Sequence, residues 1–268
     1  MVAEAASKPG FGTFLLTNGI LLRRYEADFY RKFINNIRVS LDGGDELTHS
    51  ATRGRGHFEK VISNIAWLVE HGIRTSVQMT LTKSNMDSAE ELRKRLPPQV
   101  PLRYTPLFPI GRGQLEQQSV CPDDFITPEE FYAFSRRTDT GGLNSSATPQ
   151  YRQTGCSAGR SNISIDDNGD VYPCHLFHEE RFRLGNLLQT PLRELLYSDS
   201  LRAYVKSMHV DHNNPHCAQC SVRYLCGGGC KANALHESGD HRGREQMCGY
   251  LQANLLNNLF DSYSTQVS

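Results

Sequence analysis

The run "NIRVSLDGGDELTHSATRGRGHFEKVISNIAWLVEHGIRTSVQMTLT", Asn36 to Thr82, decides the fold class. It opens on a short strand, NIRVSLDGG, that ends in a glycine pair. It continues into HFEKVISNIAWLVEHG, where Phe58, Val61, Ile62, Ile65, Leu68 and Val69 line one helical face and Gly72 stops the helix. Trp67, on a helix rich in apolar residues, is expected in the core. The run closes on IRTSVQMTLT, a second strand. Strand, helix and strand at this spacing form a parallel β/α unit, because parallel pairing needs a crossover of a dozen or more residues.

The same alternation extends outward. TFLLT (Thr13 to Thr17) is a short apolar strand closed by Asn18-Gly19, and ILLRRYEADFYRKF (Ile20 to Phe33) has helical spacing. Downstream, DSAEELRKRL reads as a short helix and PLRYTPLF as one more strand. The expected class is α/β, open or barrel-like, with ligands at the carboxyl ends of the strands. Those ends carry Thr17 to Gly19, Ser40 to Gly44, Thr82 to Asn85 and Phe108 to Gly113.

Between residues 113 and 155 the texture turns polar and rich in Gly, Ser and Thr, which marks a linker. Its one helical stretch, TPEEFYAFSRR, opens on Thr127 with Glu130 three residues later, a capping pair. Beyond it, NISIDDNGDVYPC reads as a β-hairpin turning at Asn168-Gly169. TPLRELLYSDSLRAYVKSM and QANLLNNLFDSY read as amphipathic helices.

Bulk composition excludes several classes. The 268 residues hold 29 Lys plus Arg against 29 Asp plus Glu, so net charge gives no reason to expect nucleic acid or an anionic membrane as partner. No window is long and apolar enough to span a bilayer, and the start lacks the order of a secretory signal, so a cytoplasmic location is expected. In a reducing compartment the eight cysteines serve metal or redox chemistry rather than four disulfides.

Seven of the eight cysteines form a series: Cys156-x12-Gly169-x4-Cys174, a gap, Cys217-x2-Cys220-x5-Cys226-x3-Cys230, then x17 to Cys248. A tetrahedral zinc takes four thiolates and so does a cubane iron–sulfur cluster, so seven ligands imply two sites, one of them lacking a fourth thiolate. The glycines 227 to 229 permit tight backbone whose N–H groups can donate to sulfur. On ligand type alone, zinc and iron–sulfur stay equally open.

This series, with the intervening RLGNLLQTPLRELLYSDSLRAYV, resembles the seven-cysteine SPASM domain of radical S-adenosylmethionine (SAM) enzymes, from about Gly155 to Tyr250. LLTNGILL, IRVSLDGG, GHFEKVISNIAWLVEHGI and MTLTKSN likewise resemble a radical SAM partial barrel from its third strand onward. The resemblance implies an incomplete barrel over residues 1–112, a bridging region over 113–154, a SPASM domain over 155–250 and a C-terminal helix and tail over 251–268.

It also implies two auxiliary [4Fe-4S] clusters. Cys217, Cys220, Cys226 and Cys248 would hold the outer one, and Cys156, Cys174 and Cys230 the inner one. Cys121 is the sole thiol left as a fourth inner ligand, but it lies far upstream and reads as a lone thiol; the other possibility is an open iron. By the same resemblance Thr17, Asn18, Ser40, Asp42, Arg53 and Asn85 would line the S-adenosylmethionine or substrate pocket, with Arg53 facing the methionine carboxylate. The implied partners are a peptide or protein substrate and a reducing donor such as flavodoxin or ferredoxin.

Each of these polar residues also has a local reading. Asn18-Gly19 and Asp42-Gly43 are turn formers, Ser40 a strand-end hydrogen bonder, Arg53 a solvated loop charge and Asn85 a helix cap.

One family element is missing. Radical SAM enzymes hold their catalytic cluster through C-x3-C-x2-C after the first barrel strand, and no cysteine precedes Cys121 here. The expectation is that Met1 is an internal methionine of a longer protein, or starts a truncated one, and that this chain alone lacks the radical-generating step. The histidines 209, 212 and 216 read as solvated loop residues, DDNGD as a hairpin turn without the downstream Glu of a calcium loop, and RGRG as lacking the strand-to-helix context of a dinucleotide site.

Overall fold

In the computed structural model, residues 2–8, 10–110, 122–138 and 153–267 are described. The chain divides into two compact units. One runs to Leu107 and takes in the 121–126 segment; the other holds 108–120 and everything from Thr127.

The first unit is a β/α alternation. Helix α1 (Val2–Ser7) precedes β1 (Phe14–Thr17), α2 (Ala27–Phe33), β2 (Asn36–Ser40), α3 (Glu46–Arg53), α4 (Phe58–Glu70), β3 (Thr75–Leu81), α5 (Ala89–Arg95) and β4 (Leu102–Pro106). The strands lie in the order β1-β2-β3-β4, all parallel, with Leu16 opposite Arg38, Val39 opposite Val77 and Gln78 opposite Arg103. One sheet face is fully buried: Ile37, Val39, Val77, Met79 and Leu81 meet a layer that includes Phe58, Val61, Ile65 and Leu68 of α4. Each such side chain stabilises the fold by about 1.5–3 kcal/mol. Gly72, at φ 69°, ends α4 as its position implied.

Three local expectations need correction. The stretch 20–33 is not one helix: it holds a 3₁₀ turn at Leu22–Arg24, extended residues at Tyr25 and Glu26, then α2. Tyr30 ties the two pieces by donating its hydroxyl to the Leu22 carbonyl at 2.7 Å. Trp67 is only half-buried, edge-on to Tyr30 with the Arg23 guanidinium over its ring. Helix α3 was not expected at all. It starts at Asp45, whose carboxylate accepts the Thr48 N–H at 2.8 Å in a reciprocal capping box.

The second unit begins with α6 (Pro128–Arg137), capped reciprocally by Thr127 and Glu130 as their spacing implied. The expected hairpin forms from β5 (Ser164–Ile165) and β6 (Asp170–Tyr172), antiparallel about Gly169 at φ 85°, and a third strand, β7 (Gly185–Asn186), joins it. Asp166 Oδ1 accepts both the Asn168 and Asp170 N–H groups, so that acidic loop is a turn held by its own side chain. The expected helix over 190–208 breaks in two, α7 (Leu192–Leu196) and α8 (Asp199–Ser207), where Ser198 caps the second. Helices α9 (Pro215–Gln219), α10 (Arg223–Cys226), α11 (Lys231–Ser238) and α12 (Cys248–Val267) follow. Helix α12 starts well before the expected Gln252 and packs on α6 through a Phe131–Tyr250 edge contact at 4.8 Å. No helix among the described residues is long and apolar enough to cross a membrane.

Candidate metal centre and strand-end network

At the carboxyl ends of β2 and β3, Asp42 organises a buried network. Its carboxylate, 4% exposed, accepts the Thr80 N–H at 2.8 Å, the Thr52 hydroxyl at 3.2 Å and the Arg53 Nε–H at 2.5 Å. Its backbone N–H donates to His49 Nδ1 at 3.3 Å. Asn85 closes the ring: its Nδ2 donates to the Asp42 and Thr80 carbonyls at 2.9 Å each, and its Oδ1 accepts the Thr82 N–H at 2.8 Å. Burial pushes the His49 imidazole below its ordinary pKa, so the neutral ring that accepts from Asp42 is the favoured form.

Asp42, Arg53 and Asn85 are thus brought together, with Arg53 turned onto a carboxylate of its own chain. Asn85 makes no cap bond with its side chain; tertiary contacts take all of it. Thr17 and Asn18 act locally, accepting the Gly19 and Ile20 N–H groups at 3.1 and 3.2 Å, while Ser40 ends β2 half-buried. The glycine pair is needed for close approach: a Cβ on Gly43 would fall 2.2 Å from Thr48 Oγ1, and one on Gly44 2.7 Å from the Ser88 carbonyl.

In the second unit the seven cysteines are all free thiols and fall into two groups. Cys217, Cys220, Cys226 and Cys248 line one small cavity, together with His216, Gly228, Gly229 and Glu245. Local sequence explains the placing. Asn214 caps α9 by accepting the Cys217 N–H at 2.8 Å, Pro215 follows in the first turn, and the Asn214 amide lies 3.4 Å from Cys217 Sγ. Gly227, Gly228 and Gly229 then run at φ 67°, 84° and 68°, a left-handed stretch that side chains would resist. Cys156, Cys174 and Cys230 instead pack against an apolar cluster of Ala158, Phe177, Phe182, Ala232 and Leu235, with Tyr204 alongside. Cys121 lies outside the described residues.

Sequence reasoning set aside one residue here, His216, and passed over four others. His216 is solvent-exposed as expected, though on α9 and not in a loop, and its Nε2 sits 3.5 Å from Cys248 Sγ on the cavity wall. Glu245 is buried; its Oε2 accepts the Cys230 N–H at 2.7 Å and its Oε1 the Asn233 amide at 3.3 Å, while burial pushes its carboxyl upward. Lys231 is 0% exposed, and its Nζ, like Asn213 Nδ2 and the Tyr204 hydroxyl, is buried without a hydrogen-bond partner among the described residues. Gly228 brings two of these donors together, since a Cβ there would lie 3.1 Å from both Lys231 Nζ and Asn213 Nδ2. Three of the five stood in the sequence beside a cysteine: His216 directly before Cys217, Lys231 directly after Cys230, and Glu245 three residues before Cys248.

These observations test what the thiols suit. Burial pushes Cys226 and Cys230 up to about 11, so as bare thiols they are protonated at neutral pH, and a metal must displace those protons. A single zinc ion draws its ligands to about 2.3 Å. A cubane spreads its thiolates more widely and presents acceptor sulfurs. Orphaned donors beside the cysteines fit such a group, because buried donors without acceptors are costly.

Comparison with known proteins agrees with this chemistry. Residues 1–96 match the model of the radical SAM superfamily, and residues 156–221 match SPASM, an iron–sulfur cluster-binding domain. The chain is 26% identical over 280 aligned positions to the AdoMet-dependent heme synthase of Nitratidesulfovibrio vulgaris, covering 93% of this chain and 74% of that one. It is 25% identical to the antilisterial bacteriocin subtilosin biosynthesis protein AlbA of Bacillus subtilis, covering 85% of this chain but about half, 52%, of that relative. The solved structure of anSMEcpe with bound AdoMet and the Kp18Cys peptide superposes with a TM-score of 0.69 over 94% of this chain and 74% of that chain. At 16% identity this is a likeness of fold.

Proposed function

The chain belongs to the radical SAM superfamily and carries a SPASM iron–sulfur cluster-binding domain, and from that premise we propose that it holds two auxiliary [4Fe-4S] clusters in an enzyme that modifies a peptide or protein side chain. The segregation of its seven thiols carries the reading: four around one cavity and three against one apolar cluster. Cys217, Cys220, Cys226 and Cys248 hold the outer cluster; Cys156, Cys174 and Cys230 hold the inner one and leave one iron for an exogenous ligand or Cys121.

In this superfamily S-adenosylmethionine and a further cluster, held by C-x3-C-x2-C, supply a 5′-deoxyadenosyl radical. The contribution of this chain is positional. The Asp42–Arg53–Asn85 network stiffens the carboxyl ends of β2 and β3 around the cofactor or substrate, and Thr17, Asn18 and Ser40 complete that rim. The buried donors Lys231, Asn213 and Tyr204 would supply hydrogen bonds to cluster sulfur and so favour added negative charge there. A peptide substrate agrees with relatives such as AlbA; a ferredoxin- or flavodoxin-type donor reduces the clusters, and the cytoplasm is the compartment that keeps these thiols reduced. The cluster-binding domain spans about 155–250 and the barrel portion 1–112.

A second reading rests on one observation: the sequence holds no C-x3-C-x2-C. In it, the chain is a non-catalytic iron–sulfur scaffold that binds or passes electrons with another polypeptide. Anaerobic reconstitution followed by iron and sulfide analysis tests the common ground. About eight irons per chain are expected for two cubanes, and colourless, zinc-containing protein would overturn both readings. Incubation with S-adenosylmethionine and reductant then separates them; the chain alone is expected to form no 5′-deoxyadenosine.

A further inference from the structure

A second cavity lies at the other end of the sheet, at the amino ends of β2, β3 and β4. It opens to solvent, has a volume of about 600 Å³, and carries Arg38, Arg74 and Arg103 on its wall. No Asp or Glu lines it among the described residues. The sheet explains the grouping. Arg38 lies opposite Ser76, and Gln78, two residues on along the same face, lies opposite Arg103. That face is the one turned away from the buried Ile37, Val39, Val77 and Met79. Arg74 stands one residue before β3, at the same end.

Three guanidiniums on one wall repel one another unless something compensates them. Among the described residues none of the three has an ion-pair partner. Arg38 Nε is buried without an acceptor. Buried donors are ordinarily paired, so this one calls for an acceptor from outside the unit. A concave wall of a single sign also concentrates the opposite charge in front of it.

We propose that this cavity binds a carboxylate-rich segment of the substrate, an acidic stretch of peptide, with Arg38, Arg74 and Arg103 as the groups that recognise it. Guanidinium matches carboxylate with two parallel hydrogen bonds, stronger and more directional than an ammonium contact. The apolar wall residues Phe14, Val69, Ile73 and Val100 and the total space suit a chain with aliphatic parts better than a lone inorganic oxyanion. The placement deepens the peptide-modifying reading above and rests on it. Strand β2 runs five residues from Asn36 to Ser40, and an extended peptide laid along it rises about 3.3 Å per residue. An acidic residue anchored at Arg38 therefore sits about two positions from a residue level with Ser40 at the end of β2, and about four from one level with Asp42. Such an anchor supplies binding energy at a distance from the reacting group.

The test uses the full chain and a fluorescein-labelled ten-residue Gly/Ser peptide carrying three consecutive glutamates, its three-glutamine counterpart, and inorganic phosphate as competitor, read by fluorescence anisotropy. The acidic peptide is expected to bind, to weaken as salt rises, and to lose at least tenfold in affinity in R38Q/R103Q. R74Q, on the exposed edge of the wall, is expected to lose less and guards against a folding defect in the double variant. R95Q, whose native partner is Glu59 away from this wall, is expected to bind as wild type. Equal binding of acidic and neutral peptides, absence of binding, or equal affinity in wild type, R74Q and R38Q/R103Q would overturn the proposal. Complete displacement by phosphate at concentrations matching the peptide carboxylates would reassign the site to a free oxyanion. Iron and sulfide content of the same variants reads the cluster assignment separately, since none of these arginines lies near a cysteine in the sequence.

Discussion

Replacing Gly229 with alanine isolates what the glycine run does for the cysteine site. Gly229 sits at φ 68°, where a side chain costs about 1–2 kcal/mol. Its added Cβ would also fall 1.8 Å from Glu245 Oε2, the atom that accepts the Cys230 N–H at 2.7 Å. Glu245 must therefore swing away and leave a buried donor unpaired, a further loss of about 1–3 kcal/mol. Gly239 is the built-in control: its φ is 74°, and nothing lies within 4 Å of its virtual Cβ, so Gly239→Ala carries the conformational cost alone. The expected total is about 2–5 kcal/mol for Gly229→Ala against about 1–2 kcal/mol for Gly239→Ala. Hydrogen exchange of the α11 amides, read with iron uptake, measures the local effect. Fluorescence of the single tryptophan, Trp67 in the other unit, should hold steady in both. Equal losses in the two variants would refute the role assigned to Glu245.

Three other outcomes are expected. His49 is depressed by burial; Asp42 and Glu46 oppose the shift, and Arg53 and His57 reinforce it. Its contribution to stability is therefore complete above the unfolded value near 6.5 and drains away as pH falls through the lower folded value. The Trp67-reported unfolding midpoint should drop below about pH 6.5, and His49→Asn, which keeps an acceptor for the Asp42 N–H but cannot titrate, should flatten that drop. Asp45→Ala removes the α3 cap and should cost about 0.5–2 kcal/mol in denaturant unfolding; no change would mean α3 is held from elsewhere. Lys231→Met should leave iron content intact, because Nζ makes no hydrogen bond among the described residues, yet lower the midpoint potential of one cluster signal in an EPR-monitored titration. An unmoved potential would place the Lys231 charge away from the clusters.

The elements that sequence made legible were those whose apolar spacing faces one continuous core. Helix α4 and strands β2 and β3 announce themselves because Val61, Ile65 and Leu68 and the Ile37/Val39 alternation are buried for the same reason that they are periodic. Helix α3 escaped because ELTHSATR buries only His49; its one local signal was Asp45 with Thr48, a capping pair outside the Glu/Gln form. The split at Ser198 was written in a cap residue inside a run whose apolar spacing continued through it.

The strand-end network was only half legible. Asp42, Arg53 and Asn85 drew notice as polar residues at strand ends, but that they bond to one another is decided by how α3 folds back, which no local pattern encodes. The cysteine spacing spoke of two sites. The buried Lys231 and Glu245 could not be read, because a charged residue in sequence looks solvent-facing until the backbone around it is known.

Cys248 is both a thiol of the cavity and the first residue of α12, and two residues on Tyr250 is wedged on Phe131. Whatever grips that sulfur also sets the rotation and axial position of a twenty-residue rod. If those thiols take the cluster proposed, loading the domain and seating its final helix become a single cooperative event, and chelation should strip protection from the α6–α12 seam as surely as from the loop that carries the thiols.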